Sequence, residues 1–362
     1  KRQAQTGNDS MKFNYNGISQ FSSIRNTASS STLDRLGFKS EGTNLNLRYQ
    51  NNTIIADSLF GIKYNLSNFD LNKYGFNHVT SEKTMGLYQN NNASQLAILT
   101  DGIYKNIDFT VNTLDNQTSL LNALSGLNLT YFKRAPSQLF DQDAKSLNQR
   151  VAKNVSNSNQ DFVTITYRVI APPHSQLYVS IPNISWSDDN NHSLSITVNG
   201  VTRNQVTDNT FDFFDLGYFE TESMVTIKLS FPGNKAISFD NPSFYALDTQ
   251  NYQIAMDTIN ERDSKVTTSN NKVFVDYSSK TNASLFFTIP YDKGWTATIN
   301  HKKVKIHRAQ KGFMKVDVPS GKGKVVLTFI PYGLKTGLLI SLLASIIFCC
   351  YAYFIRKTTI IQ

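Results

Sequence analysis

Two tryptophans stand beside turn-forming and acidic residues: Trp295 in Pro290-Tyr291-Asp292-Lys293-Gly294-Trp295, and Trp186 in Trp186-Ser187-Asp188-Asp189. A flat indole stacks on the apolar face of a sugar ring, and a nearby carboxylate accepts hydrogen bonds from sugar hydroxyls. On that chemistry the candidate carbohydrate-contacting residues are Trp295, Tyr291, Asp292 and Trp186. The competing reading is packing, because a tryptophan that opens a strand of a sandwich commonly belongs to its core.

Other chemistries find little support. The five histidines, His78, His174, His192, His301 and His307, fall in separate segments and form no His-Glu-x-x-His pattern. His301 and His307 flank one predicted hairpin, yet they lack the acidic or thiol partners that a metal centre needs. There is no Gly-x-Ser-x-Gly elbow and no glycine-rich phosphate cradle. Asp141-Gln142-Asp143 has the spacing to clamp a divalent ion on a sugar diphosphate. It lies in a polar stretch without apolar period, which reads better as a solvated loop. The sequence therefore implies no catalytic residue in this chain, no metal and no cofactor.

The elements that must position these residues fall into segments. Residues 1–160 read as a mixed α/β region, with strands at Asn44–Tyr49 and Leu96–Leu99 and a helix around Ser119–Leu124 closed by Gly126. Residues 138–159 read as a linker or exposed loop. From Phe162 the period becomes two: Phe162–Val169, Gln176–Ile181, Ser193–Val198 and Val225–Phe231 alternate apolar and polar residues, and Asn199-Gly200 supplies a hairpin turn. This predicts an antiparallel sandwich over 161–249. After a helix at Gln250–Asn260, further strands at Lys272–Tyr277, Ala283–Ile289, Thr296–Ile299, Val304–Ile306, Phe313–Val318 and Val325–Ile330 predict a second sandwich within 250–333. The expected fold class is α+β: a mixed N-terminal domain, two jelly-roll-like antiparallel sandwiches and a terminal helix.

That helix is the strongest single signal in the chain. Thr336–Ile355 contains 20 residues without a charge, followed by Arg356-Lys357. At 1.5 Å of rise per residue such a helix is about 30 Å long, the thickness of a bilayer's hydrocarbon core. Basic residues favour the cytoplasmic side, which places residues 1–333 outside the cell and the tail of segment 334–357 inside. The polar start, Lys1-Arg2-Gln3-Ala4, offers no export signal, so upstream transmembrane helices are expected. Both cysteines, Cys349 and Cys350, lie within the span, and the absence of disulfides elsewhere suits a Gram-positive surface. Net charge is +9; with 34 of the 36 basic residues and all 27 acidic ones, the chain without Arg356 and Lys357 carries +7. That excess suits an anionic envelope polymer or membrane surface. No aromatic residues are interleaved with the lysine runs, so nucleic acid is excluded as a partner.

Four stretches, in order, carry a family resemblance: Asn16-Gly17-Ile18-Ser19-Gln20-Phe21-Ser22-Ser23 followed by Leu36-Gly37; Asp57-Ser58-Leu59-Phe60-Gly61-Ile62-Lys63-Tyr64; Leu87-Tyr88-Gln89-Asn90; and Ile289–Trp295 running on through Pro331-Tyr332-Gly333-Leu334-Lys335-Thr336-Gly337 into the span. With these the chain resembles the C-terminal extracellular region of the YfhO family of bacterial membrane proteins. Two turns depart from the family pattern: Asn300-His301 stands where a glycine usually follows the Asn or Asp, and no Leu-Pro follows Asn90.

The resemblance implies a polytopic GT-C-type glycosyltransferase, which takes a sugar from a polyprenyl-phosphate carrier and attaches it to a surface polymer, typically lipoteichoic acid. Its catalytic acid is expected in an early membrane loop outside this chain, which leaves acceptor recognition to the segment in hand. The expected partners are the bilayer, a teichoic-acid-like glycopolymer and, through upstream helices, the polyprenyl-phosphate sugar. Two readings of other classes compete: a non-catalytic envelope or carbohydrate-binding module anchored by one helix, and a scaffold that only supports the membrane part.

Overall fold

The computed structural model describes residues 8–13, 15, 17, 20–21, 26–41, 46–48, 53–142, 145–147, 150–153, 162–186, 192–207, 213–232 and 237–359. Most of the first family stretch, Asp143, the turn 187–189 and the side chains of Arg356 and Lys357 lie outside the described residues or side chains. The fold is α+β. Six helices occur among the described residues: α1 (Asp9–Lys12), α2 (Thr27–Arg35), α3 (Ile54–Leu59), α4 (Thr113–Ser125), α5 (Thr249–Asn260) and α6 (Leu334–Thr359). The described strands pair into antiparallel sheets.

Local chemistry accounts for these boundaries. Asn112 accepts from the amides of Leu114 and Asp115 to start α4, and Gly126 closes it, where the sequence places the cap. Asp248 caps α5 through the amides of Gln250 and Asn251. The hairpin between His192–Val198 and Val201–Thr207 turns at Asn199 (φ 46°) and Gly200 (φ 88°), the pair of left-handed residues that a tight primed turn requires.

Two sandwiches are present. In the first, a five-stranded sheet runs Val201–Thr207, His192–Val198, Ser223–Pro232, Phe162–Ala171, Ser137–Gln142. It packs on a four-stranded sheet of Phe213–Phe219, Ser175–Ser180, Ser243–Asp248 and Phe132–Arg134. Ile165, Val169, Leu177, Val179, Leu194, Phe214, Leu229 and Phe244 fill the space between them. The second pairs a five-stranded sheet (Ser264–Ser269, Lys272–Ser279, Gly321–Phe329, Trp295–Ile299, Lys302–Val304) with a four-stranded one (His307–Ala309, Phe313–Val318, Ala283–Phe287, Ala97–Leu99). Val275, Leu285, Phe287, Val316, Val325 and Leu327 form its core.

The boundary at 160 read from the sequence is crossed by both sandwiches. Ala97–Leu99 completes the second, while Phe132–Arg134 and Ser137–Gln142 complete the first. The stretch beginning at 138, read as linker or loop, is therefore in part an edge strand, and Lys145–Leu147 pairs with Arg150–Lys153 beyond it. An edge strand with one wet face needs no regular apolar alternation, which is why its polarity resembled a loop.

Between the sandwiches lies a third core. Leu33 and Leu36, Ile54 and Leu59, Leu120 and Leu124, and Tyr252 and Met256 come from the helical part. They meet Tyr178 and Leu247 from the first sandwich and Phe286 and Phe313 from the second. The four-stranded sheets are thus buried on both faces, and Ala283–Phe287 is buried at every position. Each such apolar side chain contributes roughly 1.5–3 kcal/mol. The helices act as a middle layer that joins both sandwiches.

α6 stands apart from all three cores. Its Leu334–Tyr353 stretch of 20 residues is apolar and none of it is buried against the rest of the protein. A helix apolar all round and uncovered by protein is suited to lipid.

Candidate functional site

The turn Pro290–Trp295 links the two sheets of the second sandwich and is built by backbone contacts. The Asp292 carboxylate accepts from the Gly294 amide at 2.6 Å, and the Trp295 amide donates to the Asp292 carbonyl at 3.2 Å, an Asx-type turn. The Tyr291 amide donates to the Gly312 carbonyl (2.9 Å) and the Tyr291 carbonyl accepts from Asn26 Nδ2 (2.9 Å). The Gly294 carbonyl accepts from the Ile330 amide at 3.0 Å. A Cβ at position 294 would lie 2.4 Å from the Ile330 carbonyl oxygen, so only glycine lets the two segments approach this closely.

Trp295 opens its strand directly opposite Phe329, with ring centroids 5.0 Å apart. It is half-buried against the second core, intermediate between a core residue and a free platform. Tyr291 is also half-buried, and the Arg308 guanidinium lies 4.5 Å from its ring centre. The Asp292 carboxylate is exposed, with one oxygen held by the turn. Together the three residues present an aromatic edge, a phenol and an oriented carboxylate on one short turn. That inventory can bind hydroxyl groups. It holds no paired nucleophile and base.

The turn also sits at the entrance to α6. Phe329 and Ile330, which hold Trp295 and Gly294, precede the helix by a few residues, and Lys293 Nζ lies 5.5 Å from the ring centre of Tyr332.

The other expected residues lie elsewhere. Trp186 belongs to a short strand, Ser185–Trp186, paired with Ile237–Ser238 in the first-sandwich region, and its side chain is outside the described ones. The structure does not bring it together with Trp295. Asp141 is exposed on the edge strand opposite Thr166, and the neighbouring Phe140 lies 3.7 Å from the Arg168 guanidinium. His307 faces Asp317 at 3.9 Å, whereas His301 occupies the Asn300-His301 turn, where both residues have positive φ (47° and 69°).

Sequence reasoning missed a buried polar network under the first sandwich. Asp57 and Lys73 form an ion pair with side chains 1% and 9% exposed. Beside it, Ser58 Oγ and the Tyr252 hydroxyl are 2.6 Å apart, Asn90 Nδ2 donates to Ser58 Oγ at 3.1 Å, and the Ile54 amide donates to the Tyr178 hydroxyl at 3.0 Å. Gln176 Nε2 donates to Asp215 Oδ1 (2.7 Å), as does the Gly217 amide (2.8 Å). Burial pushes the Asp215 carboxyl above its ordinary range, with nearby Lys73 opposing, and burial holds the Tyr178 phenol well above 10. Asp57-Ser58 stood in the sequence as part of a family stretch; Lys73, in an unpatterned loop, carried no signal.

The family described as "Bacterial membrane protein YfhO" matches residues 1–341. The chain belongs to the YfhO family. A relative, "Uncharacterized protein YfhO" of Bacillus subtilis (strain 168), is 25% identical over 135 residues, covering 35% of this chain and only 16% of that protein. Among solved structures, a Paenibacillus sp. cycloisomaltooligosaccharide glucanotransferase matches 55% of this chain and 46% of its own at 9% identity and a TM-score of 0.23. A conserved protein of unknown function, PA5104 from Pseudomonas aeruginosa PAO1, matches 54% and 84% at 9% identity and a TM-score of 0.15. Both likenesses are too distant to inform fold or function. YfhO membership and the apolar α6 together make this a membrane-associated chain.

Proposed function

We propose that this chain is the extracytoplasmic C-terminal part of a polytopic membrane glycosyltransferase. The whole protein transfers a sugar from a polyprenyl-phosphate carrier to a surface polymer such as lipoteichoic acid, and this part helps to recognise the acceptor. In this reading residues 1–333 face outward in a bacterial cell membrane and the tail beyond α6 is cytoplasmic.

The observation that carries the reading is the position of Tyr291, Asp292 and Trp295 beside the start of α6. A carrier lipid and a lipid-anchored polymer both present their sugars near the membrane surface, where this turn lies. The turn supplies groups that hold hydroxyls, and in this reading the catalytic acid is contributed by another segment. The excess of basic residues favours a polyanionic acceptor over a neutral one.

The test is sugar transfer by the full-length protein in membranes, with Asp292→Asn and Trp295→Phe compared with wild type. Asparagine retains the oxygen that accepts from Gly294, so folding is preserved while the carboxylate charge is lost. The reading predicts a raised KM for the polymer and an unchanged KM for the carrier sugar. Transfer unaltered by both substitutions assigns the turn a structural role.

A further inference from the structure

One end of the second sandwich gathers basic residues against the membrane helix. Strand Gly321–Phe329 leaves the sheet at this end and enters α6 through Ile330–Gly333. The Leu334 amide donates to the Pro331 carbonyl (3.1 Å) and the Gly337 amide to the Gly333 carbonyl (2.8 Å), so the joint is a hydrogen-bonded turn. The three residues Pro331–Gly333 span at most about 10 Å, which places this end of the sandwich at the bilayer surface.

Three more turns meet there. The turn at Asn270-Asn271-Lys272 is joined by the Phe329 amide to the Asn271 carbonyl (2.9 Å) and by Asn271 Nδ2 to the Phe329 carbonyl (2.7 Å). The turn at 290–295 is joined through Gly294 and Ile330, and the turn at 310–312, which follows Arg308 on the strand His307–Ala309, is joined to it through Gly312 and Tyr291. Across these turns and the entry to α6 the charged residues are Lys272, Lys293, Arg308, Lys311 and Lys335 against Asp292 alone, five basic to one acidic, and all six are exposed. Four positive charges in excess, out of +9 for the whole chain, therefore lie on one small face. Tyr332, 79% exposed, stands at its centre with Lys293 over its ring.

We infer that this face docks on anionic phospholipid headgroups and seats the second sandwich end-on on the bilayer. The lysines and Arg308 supply the phosphate-binding charge, while Tyr332 and the edge of Trp295 sit at headgroup depth, where amphipathic rings partition. Each lysine near an anionic surface strengthens the docked state about fivefold, and the attraction weakens as salt shortens the screening length. The lysine turns at the opposite end of the sandwich, around Lys302 and Lys322, lie at the far ends of the strands and take no part.

Trp295 reports the docking directly. The chain has two tryptophans, so Trp186→Phe leaves Trp295 alone. The experiment places full-chain Trp186→Phe in nanodiscs that contain a phosphocholine spin-labelled on its headgroup, with and without phosphatidylglycerol, and measures fluorescence quenching. The expected result is strong quenching in the anionic discs, reduced in neutral discs, in ~1 M salt, and by Lys293→Glu combined with Lys311→Glu. If Trp186→Phe misfolds, the wild-type chain serves: headgroup quenching that the two charge reversals remove supports docking. Absent headgroup quenching, or quenching indifferent to lipid charge and to both reversals, overturns the inference. No polymer or sugar donor is present, so the result separates lipid docking from acceptor recognition.

Discussion

Asp57→Ala is expected to destabilise the whole fold, because it strands Lys73 in a closed site. The two side chains are 1% and 9% exposed; Lys73 Nζ otherwise lies 4.7 Å from the centre of the Phe76 ring and near the Asp215 carboxyl, which is already held by Gln176 and Gly217. Removing one partner of a buried ion pair costs about 3–5 kcal/mol, mostly for the charge left behind. For a protein of this size about 2 °C of Tm accompanies each kcal/mol, so the shift should be on the order of 6–10 °C. Lys73→Met alone removes the cation paired with the buried Asp57 and should cost a similar amount. The double variant Asp57→Ala with Lys73→Met removes both charges of the pair and should recover much of the loss. Thermal unfolding of the four proteins in detergent, followed by circular dichroism, completes the cycle. A shift below about 2 °C for Asp57→Ala, or a double variant as unstable as the two losses added, refutes the reasoning.

Three further outcomes follow from particular contacts. Gly294→Ala forces a Cβ to within 2.4 Å of the Ile330 carbonyl oxygen and 2.8 Å of the Phe329 ring, so the joint to α6 must open; the expected loss is about 1–3 kcal/mol, read as a lower Tm. His301→Gly relieves a left-handed residue at φ 69° and should raise stability by about 1 kcal/mol in the same assay. Asp215 holds its proton to a higher pH when folded than when unfolded, because burial disfavours the charged form. From about pH 4 upward to its raised folded value the native state binds the extra proton, so stability falls across that window and the penalty persists at neutral pH. Asp215→Asn retains an acceptor for Gln176 and Gly217, and its unfolding free energy minus that of wild type should grow as pH rises through the window.

Much of the fold was legible wherever one physical pattern governed a segment. Period-two strands such as Ser193–Val198, the Asn199-Gly200 turn, the Gly126 cap and the apolar α6 each follow from local chemistry. The middle layer was not. Tyr178 and Phe286 occupy ordinary strand positions, and nothing local shows that Tyr178 meets Ile54 or that Phe286 packs on Tyr104, each more than a hundred residues away. Ser137–Gln142 was hidden by its wet edge position, and Lys73 by a loop without period. At the candidate site the sequence gathered Tyr291, Asp292 and Trp295 correctly onto one turn, but could not reveal that Trp295 stands half-buried on Phe329. It also named Trp186 on chemistry alone, in the first-sandwich segment where its short strand is found.

Acceptor recognition by the turn beside α6 is tested most directly by binding of lipoteichoic acid to the full chain in nanodiscs, at low and at physiological salt. The account predicts saturable binding that survives physiological salt and weakens several-fold in Asp292→Asn while the Tm stays unchanged. Binding that disappears with added salt, or that Asp292→Asn leaves intact, contradicts it: charge alone would then hold the polymer, and the turn would have no part in its recognition.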